Sequence, residues 1–530
     1  MKNLASIWCG HDANITFYNS ETNSYHIIEL ERLLKKRYFR LHADNDMRAC
    51  DDVLSKVINI AQSEFNIKND YELVMSPSGG QLYFPQLIVK HFNTRHYISV
   101  ADHHQSHAYC AFYQSPFDKA IIFSYDGGGN DGFFNVYKAE NNQISLIEKI
   151  DSDFGGMYML LSSCVKEIVS SSKNQLSLPG KLMGLCGYGN TINEYVDDMA
   201  KLCFSKSDQI NNFHILNKKH NLGIKTDSDP WKFILNNGTF EKQVGYDFAA
   251  TIQTAFEKSF FAVFERIMKN YPKYPVCITG GAALNVLINQ KIKDNYDHDI
   301  FVPPNPNDCG LSLGELLVYQ KPKTKISVTY CGLPIMDKHH LEKYVTQRNA
   351  QKINISDLAK ILKNGKIVGV CHGNSEVGPR ALGNRSIICD PSYPNMKDIL
   401  NSKVKFREWY RPFAPFCKKE EAHLYFESKN FDNMEFMGFA PKVRDDKKHE
   451  LPSITHVDGT SRLQTVTKES HSFFYDLLTE FGKISKNNVL LNTSFNIRGL
   501  PILSSIEDAL YVLDNTQIDY VLIENYLFKK

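Results

Sequence analysis

The sequence lacks an excess of charge of either sign. Its 530 residues include 61 Lys and Arg against 59 Asp and Glu, so the formal net charge is only +2. This balance predicts no bulk attraction to nucleic acid or to an anionic membrane, although a small basic groove can be hidden in such an average. Charged residues make up 23% and hydrophobic residues 42% of the chain. That composition is ordinary for a globular protein and excludes disorder, collagen-like repeats and coiled coils.

Long apolar runs and paired cysteines are also absent from the sequence. The first residues reach a His and an Asp within twelve positions, so they contain no apolar core of a signal peptide. The most apolar stretches, such as AIIFSY, are too short to span a bilayer. The 12 Cys are scattered with no C-x-x-C pair, which indicates buried thiols in a reducing compartment rather than a disulfide or zinc framework. These absences predict a soluble cytoplasmic protein with no membrane partner.

The chain is long enough for two or three domains. In the N-terminal half, short β-rich runs predict a strand meander at the start and two strands joined by a glycine-rich turn at 119–139. Residues 246–270 carry apolar residues at helical spacing over several turns, which predicts a long helix. Residues 275–292 predict a strand, a Gly-Gly turn and a helix, an arrangement whose backbone N–H groups can hold an anion.

A second domain is predicted after the Pro- and Lys-rich stretch QKPKTKIS. From about residue 354 a helix leads into a buried strand, and basic and glycine-rich motifs follow. The last residues, 506–528, predict a helix and a strand that close the chain. We therefore expect domains at 1–345 and 350–530.

Four side chains of the first half belong to residue types that bind metals. His103 and His107 are four apart, so a helix would put both imidazoles on one face, although such pairs also occur by accident. Asp126 ends an apolar strand before three glycines, which suits a metal or phosphate site and equally a turn cap. Asp308 precedes a Gly and a helical run, which by itself favours an N-cap. Together they would suit iron(II), manganese or zinc, and composition does not choose among these ions.

Cations are concentrated in the second half. Seven Lys and Arg lie between residues 380 and 411, and five of them belong to the stretches GPRALGNRSI and VKFREWYRPFAPF, where they are interleaved with Gly, Pro and aromatic residues. They lack the acidic partners at i, i+4 that a solvated helix face would have, so convergence on phosphate or carboxylate is the better interpretation. Arg462 adds a further cation, and Ser494 belongs to a group of short polar donors after a buried strand. The five cations are Arg380, Arg385, Lys405, Arg407 and Arg411.

Ten short motifs follow one another along nearly the whole chain. They are GHDA (10–13), DHHQSHA (102–108), DGGGNDG (126–132), GKLMGLCGYG (180–189), GGAALN (280–285), NDCG (307–310), GPRALGNRSI (378–387), VKFREWYRPFAPF (404–416), HVDGTSR (456–462) and NTSFN (492–496). In this order they resemble the O-carbamoyltransferases of the nodulation and antibiotic-tailoring type. The combination of GPRALGNRSI with RPFAP and NTSFN is specific to that family.

The resemblance implies an α/β fold in two parts. The first would be an actin-like ASKHA domain, a duplicated ribonuclease-H-like fold similar to that of the tRNA threonylcarbamoyl transferases, and the second a YrdC-like α/β domain. It also implies an ATP-dependent reaction in which carbamoyl phosphate and ATP give carbamoyl-adenylate, pyrophosphate and phosphate. The carbamoyl group would then pass to a hydroxyl. Because carbamoyl-adenylate hydrolyses readily, making it between two adjoining domains limits its contact with water.

The resemblance also implies roles for individual residues. The metal ligands would be His103, His107, Asp126 and Asp308, with iron(II) favoured by resemblance over manganese, magnesium or zinc. The nucleotide-binding site would be lined by Lys181, Gly184, Gly280, Gly281 and Asn285. Carbamoyl phosphate and the activating ATP would be held by Arg380, Arg385, Lys405, Arg407, Arg411, Arg462 and Ser494. The catalytic residues would be His11, Arg380 and Lys405, where His11 would orient or deprotonate the acceptor hydroxyl or else only pack the first hairpin.

This chain departs from the family pattern at two positions near the motifs. Leu500 stands where the family often has an acid, and Asn130 stands where it usually has Glu. The amide at Asn130 weakens any argument for an additional carboxylate beside the metal. Neither departure affects the four expected ligands or the arginines of GPRALGNRSI.

The acceptor and the assembly state are not fixed by these motifs. The family modifies sugars, antibiotics and hydroxymethylated nucleotides or DNA, and acceptor pockets are built from loops between motifs. An exposed apolar face on an actin-like domain would permit a homodimer. A threonylcarbamoyl-type tRNA-modifying enzyme and a catalytically silent nucleotide-binding scaffold are the alternatives. The near-neutral charge disfavours the first, and the complete set of four ligand residues disfavours the second.

Overall fold

The computed structural model describes residues 2–41, 46–204, 208–225 and 238–530. Within these residues the chain is a mixed α/β protein with three large sheets. The strands of the first two sheets are β1 (Asn3–Trp8), β2 (Asn14–Asn19), β3 (Ser24–Glu29), β4 (Tyr71–Met75), β5 (Tyr97–Ile98), β6 (Ala120–Gly129), β7 (Gly132–Glu140), β8 (Gln143–Ile150), β9 (Val276–Thr279) and β10 (Ile300–Phe301). The helices of this half are α1 (Leu30–Leu33), α2 (Met47–Ser63), α3 (Gln86–Phe92), α4 (His103–Gln114), α5 (Phe154–Ser162), α6 (Lys166–Val169), α7 (Leu178–Leu185), α8 (Asn193–Lys201), α9 (Gln209–Lys219), α10 (Lys242–Met268), α11 (Val286–Asn295) and α12 (Leu311–Gln320).

The first two sheets share one strand order. The first is ordered β3-β2-β1-β4-β5 and the second β8-β7-β6-β9-β10. In each sheet three antiparallel strands come first, and two later strands extend the sheet in parallel from the first strand. The same connectivity therefore occurs twice. The predicted meander, the glycine-rich turn and the long helix, which is α10, are confirmed.

Two glycines permit the close approaches that assemble this half. Gly280 has φ +89°, and a Cβ there would lie 2.1 Å from the carbonyl oxygen of Tyr125. Only glycine therefore lets the end of β9 meet the end of β6. Gly314 of α12 has the same function against α4, because a Cβ there would lie 2.0 Å from the carbonyl oxygen of Ser106. These contacts bring the end of β6, the helix α4 and the start of α12 together.

The third sheet contains eight strands in the order β11-β20-β19-β12-β13-β18-β14-β17, and β15 and β16 form a separate pair. The strands are β11 (Gln351–Lys352), β12 (Val368–Cys371), β13 (Arg385–Cys389), β14 (Ala414–Lys418), β15 (Phe426–Glu427), β16 (Lys442–Val443), β17 (Gln464–Val466), β18 (Val489–Ser494), β19 (Tyr520–Ile523) and β20 (Tyr526–Lys529). The helices are α13 (Leu341–Arg348), α14 (Ile355–Lys363), α15 (Met396–Ile399), α16 (Ser472–Ile484) and α17 (Ile506–Asn515). The predicted helix and buried strand are α14 and β12. The prediction of a single final strand is wrong, because Glu524 adopts a left-handed φ of +52° and turns the chain back into β20.

The two halves of the chain are packed together through the connecting segment 329–336. Its residue Cys331 accepts a hydrogen bond at 2.8 Å from the backbone N–H of Ile27 in β3. On its other side, Gly332 donates to Ser375 at 3.1 Å, and Ser375 donates to Leu333 at 2.7 Å. One continuous apolar core includes residues of both halves. The loops that carry the motifs meet along this junction.

Candidate metal centre and adjoining basic cavity

Two imidazoles and two carboxylates converge at the junction of β6, α4 and α12. One ligand atom from each of four residues lies within 4.8 Å of the other three; the residues are His103, His107, Asp126 and Asp308. The Nε2 atoms of the two imidazoles are 3.2 Å apart. The Nε2 of His107 lies 3.4 Å from Oδ2 of Asp126 and 3.5 Å from Oδ1 of Asp308. Four lone-pair atoms this close favour a cation between them, and two nitrogens with two oxygens suit a divalent transition metal.

Local structure explains why these four side chains meet. His103 and His107 are one turn apart on α4, so their rings share one face. The amide of Asn130 accepts a hydrogen bond from the backbone N–H of His103 at 3.0 Å and donates to Asp102 at 2.6 Å. Asn130 therefore holds the start of α4 and the backbone of His103, the first of the expected ligands. The departure from the family pattern at this position consequently leaves an amide that supports the site without adding charge.

Backbone donors orient the carboxylate of Asp126. Its Oδ1 accepts from the N–H of Gly127 and its Oδ2 from the N–H of Gly281, both at 2.6 Å. Burial by itself would raise the pKa of Asp126, but the hydrogen bonds from His103 and His107 outweigh burial and hold the pKa well below its ordinary value. The carboxylate is therefore kept in the ionised form that binds a cation.

His11 lies at the edge of the four-residue group. Its Nε2 is 3.3 Å from Oδ2 of Asp308, and its Nδ1 is 3.2 Å from Oδ2 of Asp12. The imidazole remains partly exposed, at 30% of its side-chain surface. His11 therefore contacts an expected ligand while part of its imidazole remains exposed to solvent.

The basic cluster, defined as Arg380, Lys405, Arg407, Arg411 and Arg462, lies in the second half. The ammonium of Lys405 donates to the carbonyl oxygen of Ser494 at 2.5 Å and to its hydroxyl at 3.1 Å. It also donates to the carbonyl oxygen of Asn496 at 2.8 Å. Arg407 donates to Asn401 at 2.8 Å. Ser494 is thus brought to the cluster, as its predicted role requires.

An unusual backbone conformation directs two of these cations. Phe406 adopts a left-handed φ of +48° directly after a π-helical turn at Leu400–Val404. Lys405 is buried and Arg407 half-buried, whereas the ring of Phe406 between them is exposed. An aromatic residue with positive φ is strained, and strain of this kind concentrates at functional sites.

The basic cluster has too few acceptors for its donors. The Nε atoms of Arg380 and Arg462 are buried without a hydrogen-bond partner among the described residues. Burial, with a further contribution from Arg411, lowers the pKa of Arg380 to about 10. Burial also lowers the pKa of Lys405 well below its ordinary value, with Arg407 and Arg411 adding to the effect. A group of neighbouring cations in which two guanidinium Nε atoms have no acceptor is suited to binding a polyanion.

Unlike the members of the basic cluster, Arg385 is surrounded by backbone carbonyl groups. Its guanidinium donates to the backbone carbonyls of His372 at 2.8 Å, Asn384 at 2.9 Å, Gly373 at 3.0 Å and Leu333 at 3.3 Å. The side chain is completely buried. These contacts join β13 to the connecting segment, and they leave few donors for a bound anion.

We expect Arg385→Met to destabilise the fold. The substitution removes the Arg385 donor from the carbonyls of His372 and Gly373, and each such group costs about 1–3 kcal/mol. The free energy of unfolding should therefore fall by at least about 2 kcal/mol. Urea denaturation of the wild type and the variant measures this difference. A variant of unchanged stability with a raised KM for carbamoyl phosphate would instead assign Arg385 to the substrate.

The metal-ligand group and the basic cluster are joined by direct backbone packing. Gly378, two residues before Arg380, has φ +104°, and a Cβ there would lie 2.1 Å from the carbonyl oxygen of Pro304. The loop after Pro304 carries Asp308. Arg32 donates to the carbonyl of Gly378 at 2.5 Å and pairs with Glu29 at 2.8 Å. The loop of Arg380 is therefore fixed against the loop of an expected metal ligand.

Tyr38 and Arg37 lie beside both groups and were missed by the sequence reasoning. Backbone hydrogen bonds hold the segment next to the His11 loop, since Ala13 donates to Phe39 at 3.0 Å. The guanidinium of Arg37 donates to the Tyr38 hydroxyl at 2.8 Å and lies over its ring. The positive φ of +56° at Tyr38 orients this pair. The basic run KKRYFR was the available signal, but it contains no recognised motif.

The expected nucleotide residues of the Gly-Gly turn adjoin a cavity of about 740 Å³. Gly281 contacts Asp126 as described, and the amide of Asn285 exchanges hydrogen bonds of 3.0 and 3.2 Å with that of Gln253. Gln253 lines the cavity together with Thr191 and other residues of both halves. Asn285 therefore reaches this cavity through Gln253, and Gly281 of the same turn contacts Asp126 of the metal-ligand group.

Lys181 and Gly184 lie at the other end of the junction. Lys181 forms an ion pair with Glu408, whose Oε1 is 2.9 Å from its ammonium. Gly184 accepts a hydrogen bond at 3.0 Å from Nε2 of His456, and a Cβ on Gly184 would contact the ring of Pro412 at 3.4 Å. The structure thus brings both residues to the basic segment 404–416, and their expected contact with a nucleotide stays a prediction.

Comparison with known proteins identifies similarity along most of the chain. The family described as Carbamoyltransferase N-terminus matches residues 24–317, and the family described as Carbamoyltransferase C-terminus matches residues 359–530. Nodulation protein NolO of Bradyrhizobium diazoefficiens is 29% identical over 449 residues, which cover 81% of this chain and 79% of that protein. Nodulation protein U of Sinorhizobium fredii is 27% identical over 468 residues, 83% of this chain and 75% of that protein.

Solved structures give weaker similarities. Full-length HypF in its phosphate- and nucleotide-bound form is 13% identical, with a TM-score of 0.35 over 60% of this chain and 46% of that chain. MreB5 of Spiroplasma citri bound to ADP is 12% identical, with a TM-score of 0.31 over 61% of this chain and 97% of that chain. Among the residues described here, no helix is both long enough and apolar enough to cross a membrane.

Proposed function

Because this chain belongs to the carbamoyltransferase family, we propose that it carries out ATP-dependent O-carbamoylation in two steps. Carbamoyl phosphate, water and ATP would give carbamoyl-adenylate, phosphate and pyrophosphate at the basic cluster. The carbamoyl group would then pass to a hydroxyl of a sugar, an antibiotic or a hydroxymethylated nucleotide or DNA at the metal centre.

The domain assignment belongs to the same proposal. Residues 1–345 would form the actin-like ASKHA domain and residues 350–530 the YrdC-like domain. The strand order that occurs twice in the first half supports the duplicated ribonuclease-H-like fold. The separate eight-stranded sheet of the second half supports a second domain.

In the first step the basic cluster would bind and activate two polyanions. Hydrolysis of carbamoyl phosphate breaks its bond to phosphorus and releases phosphate and carbamate. A carbamate oxygen then attacks the α-phosphorus of ATP, and pyrophosphate leaves. Arg380, Arg462 and Lys405 would neutralise charge that develops on the phosphoryl oxygens, which fixed donors in a buried site do most effectively. The unpartnered Nε atoms of Arg380 and Arg462 support this role.

In the second step the acceptor hydroxyl oxygen attacks the carbamoyl carbon, the bond from that carbon to the adenylate oxygen breaks, and AMP leaves. A divalent ion held by His103, His107, Asp126 and Asp308 would supply a Lewis acid that polarises the carbonyl or holds the phosphate. The donor set of two imidazole nitrogens and two carboxylate oxygens fits such an ion. His11 would orient the hydroxyl or accept its proton at Nε2.

The nucleotide would extend from this centre into the cavity of about 740 Å³. Gly280 and Gly281 leave room for a phosphate beside Asp126, and Asn285 would act on the nucleoside part together with Gln253. The hydrogen bond from Gly281 to Asp126 supports a single site that contains both the metal and the adenylate.

One observation carries the proposal. The segment that leads to Arg380 of the basic cluster packs at Gly378 against Pro304, which leads to Asp308 of the group of four ligand atoms within 4.8 Å. Two chemically different groups on adjoining segments favour a reaction in which a labile intermediate moves from one to the other. A kinase on the same kind of fold would not require the second site.

The identity of the nucleotide product tests this proposal. We expect the purified protein with ATP, carbamoyl phosphate and a divalent metal to form AMP and pyrophosphate, and to form neither when carbamoyl phosphate is omitted. Chromatography with mass detection separates AMP from ADP. Formation of ADP in place of AMP would indicate a kinase and overturn the adenylation step. Dependence on threonine and bicarbonate would instead support the tRNA-modifying alternative.

A panel of hydroxyl compounds would identify the acceptor. Each compound is incubated with the complete reaction mixture and examined by mass spectrometry for the added mass of one carbamoyl group. We expect the product to appear only when carbamoyl phosphate and ATP are both present. Product that forms without ATP would contradict an adenylate intermediate.

A further inference from the structure

A buried ion pair joins the two halves of the chain beside the basic cluster. The ammonium of Lys181 lies 2.9 Å from Oε1 of Glu408, and the two side chains are only 6% and 9% exposed. Lys181 also donates to the carbonyl and the hydroxyl of Ser171 at 2.8 and 2.9 Å and to the hydroxyl of Ser172 at 2.8 Å. Its donors are therefore all engaged by protein groups, which leaves the ammonium little capacity for a direct contact with a ligand.

Each partner of the pair is rigidly connected to one of the two sites. Lys181 lies on α7, which packs against α5. A Cβ on Gly155 of α5 would lie 2.5 Å from the backbone nitrogen of Gly127, so α5 abuts the residue that follows Asp126. Glu408 is the only acid in the sequence segment 404–416, which supplies three members of the basic cluster.

Further contacts hold α7 and the segment before it against the second half. The guanidinium of Arg498 donates to the carbonyl of Ser171 at 3.0 Å, and His456 contacts the carbonyl of Gly184 at 3.0 Å. Burial would raise the pKa of Glu408, but Arg411 and Lys181 outweigh burial and lower the pKa to about 2. Glu408 therefore remains ionised between two cations, one on each side of the junction.

From this geometry we propose that Lys181 and Glu408 are positioning residues that align the adenylate-forming site with the transfer site. The desolvation of a buried ion pair offsets most of its attraction, so such pairs contribute little net stability, and their best-attested role is to fix register. Here the pair fixes the register of the basic segment relative to α7, α5 and Asp126. Its loss would let carbamoyl-adenylate escape into water before transfer. This inference rests on the proposed two-step function.

The ratio of AMP formed to acceptor carbamoylated tests the alignment. Each turnover of the wild type should give a ratio near one. We expect Lys181→Met and Glu408→Gln each to raise the ratio at least threefold, because more of the intermediate is hydrolysed. The double variant should show a ratio no higher than the larger single effect, since both substitutions remove the same pair. Lys181→Arg, which keeps the charge, should stay close to the wild-type ratio.

A matched control removes an exposed ion pair of similar geometry. Arg348 binds Asp514 through two contacts of 3.0 and 2.7 Å on the surface, and Arg348→Gln should leave the ratio near one. If the Lys181 and Glu408 variants lose AMP and product in parallel at a ratio of one, the alignment proposal is wrong. A raised KM for ATP in Lys181→Met alone would make Lys181 a nucleotide ligand instead. A wild type that forms no AMP would overturn the proposed reaction itself.

The isosteric Glu408→Gln variant keeps the test decisive if Lys181→Met does not fold. The substitution changes one carboxylate oxygen to an amide nitrogen, so the packing of the side chain is preserved. A cooperative thermal transition of the variant verifies that the protein is folded. A folded Glu408→Gln protein with a ratio of one is sufficient to reject the alignment role.

Discussion

Replacing His107 with alanine should abolish carbamoyl transfer while AMP formation continues. The imidazole is fully buried and its Nε2 faces both Asp126 and Asp308, so the variant lacks one of four ligand atoms. Even groups that only orient metal ligands are worth about 10–100-fold in affinity or activity, and loss of a ligand should cost at least about 100-fold. Metal analysis of the purified protein by mass spectrometry, together with product assays for both steps, measures the effect.

His104 provides the control for this substitution. It lies on the same helix and is equally buried, but its ring contacts the Ser124 hydroxyl at 2.8 Å and the Gly132 carbonyl at 3.2 Å rather than the ligand group. His104→Asn should lower stability and still bind metal. A His107→Ala protein with normal metal content and normal transfer would show that the four-residue group is not the metal centre.

Arg380→Ala should stop the first step and at the same time stabilise the protein without ligands. Arg380 is repelled by the positive charge of Arg411 and has an unpartnered Nε. Its charge is therefore favourable only when a bound polyanion offsets this repulsion. Loss of one preorganised donor of this type costs about 100–1,000-fold in rate. Removal of one buried cation from a repelling group should raise the melting temperature by about 1–3 °C. Pyrophosphate release and thermal unfolding are the two measurements.

Stabilisation by pyrophosphate distinguishes the loss of a binding residue in Arg380→Ala from a general structural change. Pyrophosphate should raise the melting temperature of the wild type and raise that of Arg380→Ala much less, because a ligand stabilises only the protein that binds it. Arg385→Met, with its structural contacts, should show the opposite pattern of lower stability and retained stabilisation by pyrophosphate. Normal pyrophosphate release by Arg380→Ala would remove the basic cluster from the first step.

Local patterns in the sequence predicted the helix and the strand that carry three residues of the candidate metal centre. The spacing of His103 and His107 required only that α4 be a helix, and Asp126 required only that β6 end where its apolar run ends. Asp308 was less certain, because a residue before a helix is more often a cap. The convergence of all four depends on the close approaches at Gly280 and Gly314, which no local pattern contains.

The site features that could not be predicted from the sequence depend on contacts between residues far apart in the chain. Lys181 and Glu408 are separated by 227 positions, and neither segment carries a sign that they pair. Arg385 and Arg380 belong to one motif and appear equivalent in sequence. The backbone places four carbonyls around the two terminal nitrogens of the Arg385 guanidinium, although the Nε atoms of Arg380 and Arg385 are both unpartnered among the described residues. Which cation binds substrate therefore depends on tertiary contacts rather than on residue type.

Trapping of the intermediate tests most directly whether one chain processes it internally. Wild-type protein, saturated with an acceptor found in the panel, is supplied with ATP, ¹³C-labelled carbamoyl phosphate and excess hydroxylamine, and labelled hydroxyurea is measured above a control without ATP. The proposed transfer between adjoining sites predicts that nearly all label reaches the acceptor, whereas His107→Ala releases its label to hydroxylamine. Equal capture of label by hydroxylamine from the wild type and from His107→Ala would contradict internal transfer.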